Sequence, residues 1–277
     1  MPFTPSHAVV ALPFVRTPLM PAAVAIGAMT PDLPLFLRGV GLSYGFTHQP
    51  TNIVWTVLVA FVLLLVWRIV LRPALVALAP DALAARLPDD WRTTGPSAAL
   101  DVVVPRRRFG DVVLLAVSLL IGVLSHIVWD LFTHEGRWGV DALPLLQQSW
   151  GPLSGYKWLQ HGSSALGLLI LAGYALVWLR RRRVVPRSRP LPVWLRWTWY
   201  LALPAFLITA WLLGLAAYGP LTPAFTLQHL AYRTLPPAAG LWGAVTVLLC
   251  AGIVLTTRGR RLPTGEERRT APEHPAR

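Results

Sequence analysis

A chain of 277 residues that is 55% hydrophobic and only 13% charged, with a mean hydropathy of +0.54, departs from the roughly 25% charged composition of soluble domains. Leu, Val and Ala recur in blocks of about twenty, the length that spans a bilayer, which excludes a water-facing fold and implies a multi-pass membrane protein. The net charge of +13 sits in arginine clusters beside those blocks, as topology and anionic headgroups demand, so membrane lipids and not nucleic acid are the expected partners.

The reading is an all-α polytopic helix bundle of about five spans, one integral membrane domain over residues 1–257. The start lacks a basic region and a small-residue cleavage site, so it does not read as a cleaved signal peptide. Residues 1–50 are cut by Pro13, Pro18, Pro21, Pro31 and Pro34, leaving room only for short pieces such as a helix over 22–29. Such pieces predict a re-entrant or interfacial hairpin, with one complete crossing as the alternative.

The first clear span is 51–71, about 31 Å as a helix, with Trp55 and Trp67 at its ends. Residues 72–110 form a basic loop with an amphipathic piece over 73–87. Further spans are expected at 111–132, 160–179, 197–217 and 238–257, the last after a proline-rich connection over 218–237. Residues 258–277 read as a disordered tail. The loops alternate between arginine-rich and non-basic, the latter holding only Arg137, Lys157 and Arg233 as basic residues. The basic loops and the C-terminus are therefore expected on the cytoplasmic side of the inner membrane.

The chemistry concentrates where the second span ends. At 100° per residue, Ser118, Gly122, His126, Asp130 and His134 follow nearly one line down a helix. His126, about 9 Å inside the apolar run, and Asp130, one turn further on, can reach one cation, and intramembrane ionisable residues are functional candidates. The bland account is a His–Asp hydrogen bond between helices. His48, just before the first span, falls at the same level, and Asp32 stands between prolines in apolar surroundings. Together they form an N/O donor set suited to Zn²⁺, or to Mn²⁺ or Fe²⁺. His7 is a further candidate ligand if the N-terminal region is a hairpin, because a single crossing would carry it to the far side.

His134 and Glu135 are candidates for handling protons, and Lys157 with His161 for holding an anionic group. His229 and His274 lie in polar connections and are expected to be uninvolved. Cys250 is the sole cysteine, leaving no disulfide framework or thiolate site. Nucleotide-binding and serine-hydrolase signatures are absent, and Asp81, Asp89, Asp90 and Asp101 belong to the basic loop.

The opening MPFTPSH, Thr30-Pro31-Asp32, Thr47-His48, Ser125-His126-Ile127-Val128-Trp129-Asp130 with Thr133-His134, and Lys157 with Gln160-His161-Gly162-Ser163 resemble a bacterial domain-of-unknown-function family of multi-pass membrane proteins, number 4184, over about residues 1–220. More distantly, the order His, Asp, His, HxxxD is similar to inner-membrane metal-dependent hydrolases and to the zinc phospholipase C and P1-nuclease group. That similarity implies a divalent metal, Zn²⁺ by preference, and cleavage of phosphoesters. Ser43-Tyr44-Gly45-Phe46 stand where those hydrolases carry a further basic or histidine element, and no second HxxxE pair occurs. One or two metals are therefore expected, not three. Two functions follow: a membrane metal-dependent hydrolase of a lipid or lipid-linked phosphoester near the outer leaflet, or a non-enzymatic transporter-like or scaffold protein with a structural His/Asp network.

Overall fold

The computed structural model describes residues 3–103, 105, 108–185 and 191–258, so the expected tail beyond Arg258, with His274, lies outside the described residues. The N-terminal region is a hairpin: a 3-10 helix, Thr4–Phe14, turns and returns as α1, Pro21–Met29. Five helices long and apolar enough to cross a membrane follow: α2 (Pro50–Leu78), α3 (Phe109–Thr133), α4 (Gly155–Arg180), α5 (Val193–Tyr218) and α6 (Leu227–Thr257). The all-α polytopic bundle expected from sequence is the architecture found.

The hairpin packs inside the bundle. Its first strand starts beside α4, where the Phe3 amide donates to Ser164 Oγ at 2.9 Å. It ends beside Tyr174 and Trp178, near the arginine-rich end of α4. The return strand follows α3, from the Met20 amide on Ser118 Oγ (3.0 Å) to the Ala28 carbonyl at His126 (2.7 Å). Both ends of the hairpin thus reach the Asp130 end of α3. In a 3-10 helix residues three apart are eclipsed, which puts Thr4 and His7 on the same face.

Glycine permits the tight seam between α1 and α3. A Cβ on Gly122 would lie 2.2 Å from the Val24 carbonyl oxygen and 2.9 Å from Gly27 Cα. No small-residue pair stands out within either segment, because each contributes one glycine to the contact. Below the seam, Ala23, Ala60, Leu64, Leu115, Leu119 and Val123 form the buried core between α1, α2 and α3. Leu166, Leu169, Leu201, Ile208 and Leu212 of α4 and α5 remain exposed, as lipid-facing residues do.

Two boundaries differ from expectation at prolines. The first span does not stop at residue 71: a π-turn over Trp67–Leu71 leads into the helix Arg72–Leu78. A π-turn widens the backbone where the Pro73 ring would meet the carbonyl four residues earlier. The added turns pack Ala74, Ala77 and Leu78 on Cys250, Ile253 and Val254 of α6.

The fifth span begins at Leu227 and runs through Pro236 and Pro237, where a connection was expected. Those prolines cannot donate to the carbonyls of Tyr232 and Arg233. Arg38 does so instead, at 2.7 and 3.3 Å, with its guanidinium 5.2 Å from the Tyr232 ring. A long-range side chain replaces the missing local donors, a compensation that no window of sequence contains. α4 also starts earlier than expected, which places Lys157 on the helix itself.

Candidate metal centre

Asp32, His48, His126 and Asp130 arrive from three separate elements and meet in the interior, none more than 5% exposed. One donor atom from each lies within 4.8 Å of all the others, so the group could hold a metal ion. The short segment Thr30–Asp32 that ends α1 brings Asp32, and the helix Tyr44–His48 brings His48. α3 supplies His126 and Asp130 from the face that also buries Ser118 and Gly122.

Backbone carbonyls set the two imidazoles. His126 Nδ1 lies 2.7 Å from the Ala28 oxygen and His48 Nδ1 lies 2.9 Å from the Tyr44 oxygen. A carbonyl only accepts, so each Nδ1 carries the proton and each Nε2 presents its lone pair in the neutral ring. Holding a ligating histidine through its other nitrogen is how metal sites fix tautomer and orientation.

The spacing of the four groups tests whether they fit a cation. The two Nε2 atoms are 3.3 Å apart, and each is 3.5 Å from Asp130 Oδ2. His126 Nε2 is 3.6 Å from Asp32 Oδ1. A charge-assisted N–H···O bond is shorter, about 2.7–2.9 Å, so these are poor values for a hydrogen-bonded network. Ligand bonds of about 2.1 Å separate donors by about 3.4 Å in a tetrahedron and about 3.0 Å in an octahedron. Lone pairs and carboxylate oxygens facing one another at tetrahedral spacing fit a small cation. Asp32 Oδ1 and Asp130 Oδ1 are buried with no hydrogen-bond partner, which such an ion would correct.

A ring of partners surrounds the four. Thr4 Oγ1 donates to Asp32 Oδ2 at 2.6 Å and the Tyr44 hydroxyl donates to Asp130 Oδ2 at 3.1 Å. Burial, and then the Asp130 carboxylate, push the Tyr44 hydroxyl above its ordinary value, so it remains a donor. Neither residue is singled out by the sequence: Thr4 stands within the opening MPFTPSH and Tyr44 within the departure Ser43-Tyr44-Gly45-Phe46. His7 is not among the four. Its ring lies 4.1 Å from that of His126, and its Nε2 is buried without a partner.

The remaining candidates line a cavity of about 650 Å³ beside the cluster, together with Tyr44, Tyr156 and Gln160. His134, Glu135, Lys157 and His161 all face it. His134 Nδ1 sits 3.5 Å from Asp130 Oδ2 and 3.2 Å from the Asp130 carbonyl, and its Nε2 is 3.4 Å from Gln160 Nε2. Burial pushes the imidazole below its ordinary value, favouring the neutral ring. Glu135 accepts from the Tyr156 hydroxyl at 3.0 Å. His229, expected to be uninvolved, also lines this cavity, because α6 begins early enough to carry it there.

The chain belongs to the family described as a domain of unknown function, DUF4184, whose model matches residues 1–255 and so takes in the hairpin, the cluster and all five spans. No curated protein and no solved structure matches the chain.

Proposed function

We propose that the protein is an integral membrane metal-dependent hydrolase acting on a phosphoester of a lipid or lipid-linked substrate. The observation that carries this reading is the set of four buried donors within 4.8 Å of one another, three of them mutually at tetrahedral spacing, beside a cavity bearing a base, a cation and histidines. His48, His126 and Asp130 form a near-equilateral face with edges of 3.3–3.5 Å, the two-histidine, one-carboxylate set that suits Zn²⁺. Asp32 completes the group. A cation held there supplies Lewis-acid polarisation and a nucleophile from water at neutral pH.

The protein's own groups then divide the work. His134, donating through Nδ1, keeps Nε2 as a proton acceptor at the cavity wall. Glu135 is a second acceptor in the same cavity. Lys157 and His161, one turn apart near the start of α4, would hold the phosphate, aided by the helix N-terminus. Arginine asymmetry supports an orientation with this end of the bundle at the outer face of the inner membrane, where lipid headgroups would meet it.

A second reading has its own support. Four protein ligands with almost no exposure are also what a closed structural metal site presents, here stapling the hairpin to α3. Asp32→Asn separates the two. Elemental analysis of the detergent-purified protein should find stoichiometric metal in wild type and none in His126→Ala/Asp130→Ala. If Asp32→Asn keeps the metal but loses phosphoester hydrolysis, the site is catalytic. If wild type holds metal and cleaves none of a panel of phospholipid and aryl phosphoesters, the structural reading stands. No bound metal in wild type overturns both.

A further inference from the structure

At the opposite end of the bundle lies a cavity of about 830 Å³ that the metal centre does not use. Arg16 enters it from the hairpin turn, Arg86 from the loop after α2, and Arg181, Arg182 and Arg183 from the end of α4. Among the described residues, the only acidic side chain in its lining is Asp89. Topology alone accounts for arginines in loops, but not for three separate stretches aiming them into one concavity. Arg16 in particular belongs to the re-entrant hairpin. Like charges brought together at a low-dielectric boundary repel, so their convergence calls for an anion.

The floor identifies what kind. Leu12, Val15, Tyr174, Val177 and Trp178 line the same cavity, and the Arg182 guanidinium lies 4.3 Å from the Trp178 ring. Between the hairpin and α4, higher along the same two segments, lies a second, mostly apolar cavity of about 360 Å³, where Val9, Val10, Leu166 and Ile170 lead up to His7. A soluble anion has no use for apolar space deeper in the membrane, whereas an acyl chain does. Basic pockets between membrane helices are the recognised setting for acidic phospholipid headgroups.

We propose that this end of the protein binds one anionic phospholipid, its phosphate among Arg16, Arg86 and Arg181–Arg183 and one acyl chain along the apolar space between the hairpin and α4. Its headgroup end lies apart from the metal centre. It anchors the hairpin, whose other end carries Asp32, from the side facing away from the cluster.

The test is native mass spectrometry and thermal melting of the full-length protein in neutral detergent, titrated with phosphatidylglycerol, phosphatidylcholine or inorganic phosphate. Wild type should retain one phosphatidylglycerol per chain and melt higher with it, with little response to the other two. At about fivefold per arginine, Arg16→Gln/Arg182→Gln should weaken phosphatidylglycerol binding at least tenfold. Arg92→Gln, an exposed arginine in the loop after α2 that does not line the cavity, should leave it within twofold. If the double variant does not fold, Arg16→Gln alone should lose about fivefold and Arg16→Lys much less. Equal binding of the two lipids, equal loss in Arg92→Gln, or an equal response to inorganic phosphate would each overturn the proposal.

Discussion

Gly122→Ala should damage the metal centre without touching it. The new Cβ would sit 2.2 Å from the Val24 oxygen, 2.7 Å from the Ala28 nitrogen and 2.9 Å from Gly27 Cα. All three are backbone atoms, so no side-chain rotation relieves the contact. Restoring even a 3.0 Å separation from the Val24 oxygen moves α1 off α3 by about 0.8 Å. The same motion stretches the Ala28 contact of His126, now 2.7 Å, to about 3.5 Å, outside the ordinary hydrogen-bond range. His126 then loses the group that orients its ring, and Asp32, three residues beyond Met29, shifts away from Asp130. Losing such an outer partner typically costs ten- to a hundredfold in metal affinity, and overpacking adds about 1–3 kcal/mol of instability. The assay is chelator competition for bound metal, paired with thermal melting. Gly173→Ala, where a Cβ meets nothing within 4 Å, is the control and should change neither. A Gly122→Ala protein with wild-type melting and metal affinity within about threefold of wild type would refute the coupling between seam and site.

Three further outcomes follow from the same geometry. Stripping the metal with a chelator should lower the melting temperature by about 10 °C, from roughly 4 kcal/mol of linkage at a thousandfold excess over Kd; His126→Ala should abolish that response, while a purely hydrogen-bonded network predicts none in wild type. Arg38→Gln should destabilise by about 1 kcal/mol, since it leaves the Tyr232 and Arg233 carbonyls without a donor; in Pro236→Ala/Pro237→Ala the same change should be near neutral, and additive effects in that cycle would refute the replacement of backbone donors by Arg38. Lys157→Ala should raise KM for an anionic phosphoester about tenfold with metal content unchanged; loss of metal would show that its role is not confined to the cavity.

The bundle was legible because lipid imposes a length and a composition on every span, and the cluster because charge is scarce inside such spans. His126 and Asp130 declared themselves by spacing within an apolar run, His48 by its level beside the first span, and Asp32 by its apolar surroundings. Prolines misled at Pro73 and at Pro236-Pro237, where a π-turn and a distant arginine supply what the local backbone cannot. Tyr44, Thr4 and His229 were hidden for a related reason. Their roles depend on which surfaces meet, and tyrosine, threonine or histidine near a helix end carries no periodic signal.

The same dependence explains why hairpin and metal centre occur together. A proline-broken segment at membrane depth leaves carbonyls that neither a helix nor water can satisfy, and these must find protein donors. Three of them lie beside the cluster, and residues of the cluster and its neighbours take them: His126 on Ala28, Thr47 on Pro31, and His48 with Thr47 on Tyr44. Each imidazole thus serves two purposes at once, closing a backbone group with Nδ1 and offering Nε2 to the interior. Removing the hairpin would strand His126 without orientation, and removing His126 would strand the hairpin's Ala28 carbonyl. A Thr47→Val protein, deprived of both carbonyl contacts but of no ligand, should therefore lose metal affinity and hairpin protection from amide exchange together. Loss of one without the other would show that the hairpin and the metal centre are separable.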